Sequence, residues 1–208
     1  MDKTDFICVT NSRLGIPDQK LIAMTRPRRF GKSVTADMLC AYYSKGYAGR
    51  EIFQGLNISR KKETGNPNQE TCAAPGVGDQ NSLSDDSYLE YLNKFDVIRI
   101  DMNTIKGRYE DYLTKNQKVE GVATLVDFLQ YEIVSDLRKH SGFSSILGEQ
   151  QIENRELFGS LCALHESLKI SFVFIMDEWD LLYREYMNDN QLQQQFIDLL
   201  HVHVFKPA

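Results

Sequence analysis

Residue types that could do chemistry concentrate first in Arg26-Pro27-Arg28-Arg29-Phe30-Gly31-Lys32-Ser33. A loop that runs into a helix at Gly-Lys-Ser is a place to hold phosphate. The first turn of a helix carries N–H groups without acceptors and the positive end of a dipole, so it attracts anions. Gly31 lets the backbone come close, Lys32 can reach β- and γ-phosphates, and the Ser33 hydroxyl can ligate Mg²⁺. Val34 completes the turn, and Arg28, Arg29 and Phe30 line the approach to it. The usual spacing is GxxxxGK(S/T), and here Arg26 stands where the first glycine belongs. An arginine does not share glycine's freedom at positive φ, and Pro27 restrains Arg26 further, so the loop entry must differ. Three arginines in one loop could equally form a solvated basic face. Beside an anion, at least one is expected to touch phosphate or organise nearby carboxylates.

The second constellation is Asp177-Glu178, placed directly after the most apolar run of the chain, Ile170-Ser171-Phe172-Val173-Phe174-Ile175-Met176. Ligands of parallel sheets gather at the carboxyl ends of strands. An Asp there can hold the waters around Mg²⁺, and an adjoining Glu can act as the base that polarises an attacking water. The competing reading makes Asp177 the cap of the next helix. The two motifs lie about 145 residues apart, and each gives the other a purpose: a shared nucleotide site with Lys32 on phosphate, Ser33 and Asp177 on the metal, and Glu178 as base. No Asn-Lys-x-Asp guanine reader is present. Asp101 ends another expected strand and could line the same cleft or cap a turn. Trp179 reads as a packing residue. His201 and His203 would share one strand face, without an evident third ligand.

These residues need a scaffold. Leu21-Ile22-Ala23-Met24-Thr25 reads as a buried parallel strand leading into the loop, and residues 34–43 as a helix with Val34, Met38, Leu39 and Tyr42 on one face. Residues 60–87 hold few large apolar side chains and read as a solvent-exposed insertion prone to disorder. A short helix over 88–93 and a strand over 95–102 follow. Amphipathic helices are expected over 122–139 and 153–168, a strand over 170–176 and a helix over 191–200. Strands separated by helices predict an α/β domain with a mostly parallel sheet, and 208 residues suit one domain. The net charge of −5 argues against a general nucleic-acid-binding protein. The N-terminus lacks a signal-peptide pattern and no apolar run is long enough for a membrane span. With Cys8, Cys40, Cys72 and Cys162 far apart, the expectation is four reduced thiols in a cytoplasmic protein.

The chain resembles the AAA-ATPase-like domain proteins of bacteria. The likeness begins at Asp2-Lys3-Thr4-Asp5-Phe6-Ile7 and is strongest over Thr25 to Ser33, where the family also has arginine in place of the first glycine. It continues through Tyr43, Ile52-Phe53-Gln54-Gly55-Leu56 and Tyr91-Leu92-Asn93-Lys94-Phe95-Asp96-Val97-Ile98. It ends at Met176-Asp177-Glu178-Trp179-Asp180. The resemblance implies a P-loop NTPase-type three-layer sandwich that binds ATP with Mg²⁺. Family members often carry a nuclease-like region further along, and they continue past the 191–200 helix into another strand lying between the two motif-bearing strands. Against that pattern the chain reads as a member incomplete at its C-terminus. Two other roles compete with an ATPase: a non-enzymatic nucleotide switch that contacts a protein partner or a second copy, and a nuclease-associated role that the acidic charge does not support.

Overall fold

The computed structural model describes residues 2–16, 19, 21–25, 31–46, 48–59, 87–115, 119, 121–147 and 157–204. The chain divides into two compact units, Met1–Val97 and Ile98–Ala208.

The first unit is helical: α1 (Asp5–Asn11), α2 (Lys32–Tyr43), α3 (Gly49–Phe53) and single 3-10 turns at Asn57–Ser59 and Ser87–Leu89. Its core gathers Ile7, Tyr42, Tyr43, Phe53, Ile58 and Leu92. The two tyrosines that end α2 tie it to α1 through buried polar groups. The Tyr42 hydroxyl accepts from Asn11 Nδ2 at 2.9 Å and donates to the Tyr88 carbonyl at 2.5 Å. The Tyr43 hydroxyl donates to Asn11 Oδ1 at 2.7 Å, with Thr10 Oγ1 at 2.6 Å. Burial pushes both phenols well above their ordinary range, so they stay neutral and keep their donors.

The far end of α2 is closed by Asn93. This residue has φ +56°, a left-handed conformation that Asn tolerates better than most side chains. Its Nδ2 donates to the carbonyls of Ser44 at 2.6 Å and Ala41 at 3.2 Å, and its Oδ1 accepts from Gly49 N at 3.2 Å. The final carbonyls of a helix have no internal donor, and one amide satisfies two of them here while fastening α3. Gly49 has no alternative, because a Cβ there would lie 2.2 Å from Asn93 Oδ1.

The second unit is mixed α/β. Strands β1 (Asp96–Asp101) and β2 (Phe172–Asp177) form a small parallel two-stranded sheet. Helices α4 (Met102–Thr114), α5 (Leu125–Lys139), α6 (Leu157–Leu168), α7 (Leu181–Glu185) and α8 (Asn190–Asp198) complete it, and a π-helical turn follows at Leu199–Val204. Helix α5 lies at the centre of the core, burying Leu125, Val126, Phe128, Leu129, Ile133, Val134 and Leu137. Thr124 and Asp127 close its N-terminus as a reciprocal capping box, which fixes the start of the helix at Leu125 rather than at 122.

Four expectations need correction. Residues 21–25 are not a strand. Leu21 is 55% exposed, and an apolar run becomes a strand only where a neighbour supplies the ladder, which the described residues do not do. In α2 the buried face is Thr35, Ala36, Tyr42 and Tyr43, while Val34 is 65% exposed. His201 and His203 belong to the π-helical turn rather than a strand, which continues the helical burial of Leu192, Phe196 and Leu199. Cys8 is disulfide-bonded, while Cys40 and Cys162 are in no disulfide. Spacing along the chain does not reveal a single bridge, since bridging depends on which cysteines folding brings together. Of the 60–87 stretch, residues 60–86 lie outside the described residues.

Candidate functional site

Gly31 is the N-cap of α2 and adopts φ +70°, ψ +39°, the left-handed conformation that glycine takes without penalty. The first bond of the helix runs from Thr35 N to the Gly31 carbonyl at 3.0 Å, and Thr35 Oγ1 donates to the same oxygen. Lys32, Ser33 and Val34 therefore form the first turn, whose N–H groups have no acceptor inside the helix. Ser33 and Val34 are exposed and Lys32 is partly buried. A Cβ on Gly31 would lie 2.5 Å from the Nζ of Lys3. Glycine thus serves the backbone twist and also leaves room for an ammonium group. Arg28, Arg29 and Phe30, with the rest of residues 26–30, lie outside the described residues.

Asp177 is the last residue of β2 and is buried, at 8% exposure. Its Oδ1 accepts from Glu178 N at 3.0 Å. It caps no helix: the N-cap position of α7 is held by Asp180, three residues on. Glu178 has φ +53°, a conformation costly for a residue without Asn's local hydrogen bonding and one that recurs where function requires an unusual backbone. The turn it makes sends its side chain to Arg184, whose Nη2 donates to Glu178 Oε2 at 2.7 Å. Arg184 Nε lies 3.4 Å from Asp180 Oδ2 but is buried without a hydrogen bond. Trp179 packs edge-on against Tyr183, as expected of a packing residue. Asp101 is committed elsewhere. It caps α4, accepting from Asn103 N at 3.0 Å and from Thr104 Oγ1 at 2.8 Å.

Gly31, Lys32 and Ser33 belong to the first unit and Asp177 and Glu178 to the second. Gly31 stands before a helix and Asp177 at the end of a strand. Sequence reasoning missed Arg184 and the placement of Lys3. The i,i+4 pair Asp180–Arg184 was visible as a spacing. Contact between Arg184 and Glu178 was not, because it depends on the left-handed turn at Glu178.

Among the described residues, no helix is long and apolar enough to cross a membrane. Neither a curated protein nor a solved structure matches the chain. A family model described as "Predicted AAA-ATPase" matches residues 1–206, nearly the whole length, and the chain belongs to this AAA-ATPase-like family.

Proposed function

We propose that residues 1–208 act as one P-loop NTPase-type domain, a three-layer α/β sandwich in the cytoplasm, that binds ATP in a Mg²⁺-dependent manner and turns it over slowly. The observation that carries this reading is the left-handed Gly31 opening α2 at Lys32-Ser33 in a chain of this family. Phosphate would rest on the first-turn N–H groups, with Lys32 neutralising its charge and Arg28, Arg29, Phe30 and Val34 lining the site. Ser33 and Asp177 would hold Mg²⁺, a cation that takes oxygen ligands and keeps several waters. Both are hard oxygen donors, one an exposed hydroxyl and one a buried carboxylate, the ligand type such an ion takes. Bound there, the metal would supply charge to offset that of the phosphates. Glu178 is the base that would orient and deprotonate water.

One observation favours a second reading. The Glu178 carboxylate is bonded to Arg184, so an oxygen that would accept a proton from water is already engaged. A nucleotide-binding switch that contacts a protein partner or a second copy, with little turnover, is consistent with that pairing.

Ligand-dependent melting tests the common part of both readings. A ligand that binds only the native state stabilises it by RT ln(1 + [L]/Kd), about 2.7 kcal/mol at a hundredfold excess. For a chain of this size that is roughly 5–10 °C. ATP with Mg²⁺ should produce this shift and Lys32→Ala should abolish it. An unchanged melting profile of the folded wild type in millimolar ATP refutes the nucleotide site.

A further inference from the structure

We infer that Arg184 is a positioning residue for Glu178: its guanidinium exchanges between Glu178 and Asp180, and turnover belongs to the Asp180-bound arrangement. The inference rests on the reading of Glu178 as base and supplies the regulation of that same site.

The backbone around the exchange is fixed, so only side chains need to move. Asp177 Oδ1 accepts from Glu178 N at 3.0 Å, and Leu181 N donates to the Glu178 carbonyl at 2.9 Å. These bonds hold the left-handed turn at Glu178, whose φ is +53°. Leu181 and Leu182 are wholly buried and root α7 in the core. Arg184 N donates to the Asp180 carbonyl at 3.1 Å, which places the arginine one helical turn beyond Asp180. Glu178, Asp180 and Arg184 therefore keep their backbone positions whichever carboxylate the guanidinium takes.

The guanidinium is caught between two acceptors. Nε and Nη2 form one edge of the planar fork, and that edge matches the two oxygens of a single carboxylate. Here the edge is divided. Nη2 donates to Glu178 Oε2 at 2.7 Å, while Nε lies 3.4 Å from Asp180 Oδ2 and makes no hydrogen bond, although it is buried. A buried N–H without an acceptor has given up water and found no replacement. Closing the whole edge on either carboxylate satisfies Nε. The divided edge is thus a midpoint between two complete pairs, which makes a two-state element. Asp180 can serve as one end of it because its side chain makes no capping bond to α7, although it holds the N-cap position.

Chemistry tells the two states apart. With Nη2 on Glu178 Oε2, an oxygen that would take a proton from water is occupied by the arginine. With the fork on Asp180, that bond no longer competes with water. The water proton then goes to Glu178, the water oxygen bonds to the γ-phosphorus, and the bond to the ADP oxygen breaks with its electron pair. All three side chains are partly exposed, so water reaches the carboxylates in either state.

Phosphate release from Mg²⁺-ATP by the full chain, measured across ATP concentrations, tests the exchange. Arg184→Met removes the fork and keeps an apolar stem; Asp180→Ala removes the alternative acceptor and leaves Arg184 on Glu178. Arg184→Met should raise kcat about tenfold, the scale of one hydrogen bond to a charged group, with KM within about twofold of wild type. Asp180→Ala should lower kcat by about threefold or more, since the turnover-competent state loses its partner. The double variant should match Arg184→Met, because Asp180 acts only through the arginine. A structural role for these ion pairs would instead lower turnover in both single variants and compound in the double. Circular dichroism checks that each variant is folded, and Arg184→Gln takes the place of an Arg184→Met that does not fold. A folded Arg184→Met with kcat at or below wild type overturns the exchange and leaves the nucleotide site standing. Wild-type kcat in Asp180→Ala, or losses that compound in the double variant, overturn it equally. Calorimetric ATP binding without phosphate release, in wild type and Arg184→Met alike, removes Glu178 as base and the exchange with it. Absence of ATP binding in all of these proteins overturns the nucleotide reading as well.

Discussion

Asn93 offers the sharpest test of how the first unit holds α2 in place. Three effects meet in this residue. Its amide donates to the Ser44 and Ala41 carbonyls at 2.6 and 3.2 Å, its Oδ1 accepts from Gly49 N at 3.2 Å, and its φ is +56°. Three hydrogen bonds at about 1 kcal/mol each would give about 3 kcal/mol, and water can replace part of this because the side chain is only half-buried. A net loss of about 2 kcal/mol is the expectation for removing them. Alanine adds about 1 kcal/mol for the left-handed conformation, and glycine does not. Asn93→Ala should therefore cost about 3 kcal/mol and Asn93→Gly about 2 kcal/mol. Asn93→Asp should be at least as damaging as alanine at neutral pH, since it turns a carboxylate toward carbonyl oxygens. Urea unfolding followed by circular dichroism measures all three. Glycine no better than alanine would show that the backbone is not strained at this position. A loss below about 0.5 kcal/mol for alanine would show that the amide clamp contributes nothing.

Two further outcomes follow from the site and from the core of the first unit. Glu178→Gln should retain Mg²⁺-ATP binding and lose turnover, whereas Asp177→Asn should weaken the Mg²⁺-dependent part of binding; calorimetry and phosphate release read the two, and wild-type behaviour in both variants removes the acidic pair from the site. Tyr42 and Tyr43 titrate well above the ordinary phenol value of about 10 when folded, so the unfolded chain ionises first as pH rises. Their contribution is complete below about pH 10 and falls above it by up to about 1.4 kcal/mol per tyrosine per pH unit. Urea midpoints between pH 8 and 11 check this, and a flat profile refutes the buried phenols.

Most of the elements that sequence periodicity identified are present. Helix α2 was expected over 34–43 and is Lys32–Tyr43; the strand expected over 170–176 is Phe172–Asp177. Apolar periodicity found these because burial itself selects the pattern. It failed at residues 21–25 because hydrogen-bond pairing is a property of neighbours, and the run Leu21-Ile22-Ala23-Met24-Thr25 specifies only its own half. It also passed over α4, whose polar surface, Lys106, Arg108, Glu110 and Asp111 among it, leaves Met102, Ile105 and Tyr112 as a sparse buried stripe. The stop signal of α2 was unreadable for another reason. Asn93, 49 residues after Ser44, does the work that a glycine immediately after the helix would normally do.

The candidate site divides along the same line. The local positions of Gly31, Lys32, Ser33, Asp177 and Glu178 were legible because each is set by its immediate neighbours: a helix start, or a strand end. The contacts of Lys3 and Arg184 were not legible, because long side chains arrive wherever the fold sends them. Lys3 reaches Gly31 only because Asp2 and Thr4 are held on the Asn57–Ser59 turn, which no spacing along the chain encodes. Arg184 meets Glu178 only because Glu178 turns left-handed after β2. Asp180 sits one helical turn before Arg184 and is the partner a helical spacing would choose. Its oxygen nevertheless lies 3.4 Å from Nε, against 2.7 Å for Glu178 from Nη2. The backbone conformation of one residue therefore decides which carboxylate Arg184 holds most closely, and with it where the Glu178 side chain is directed.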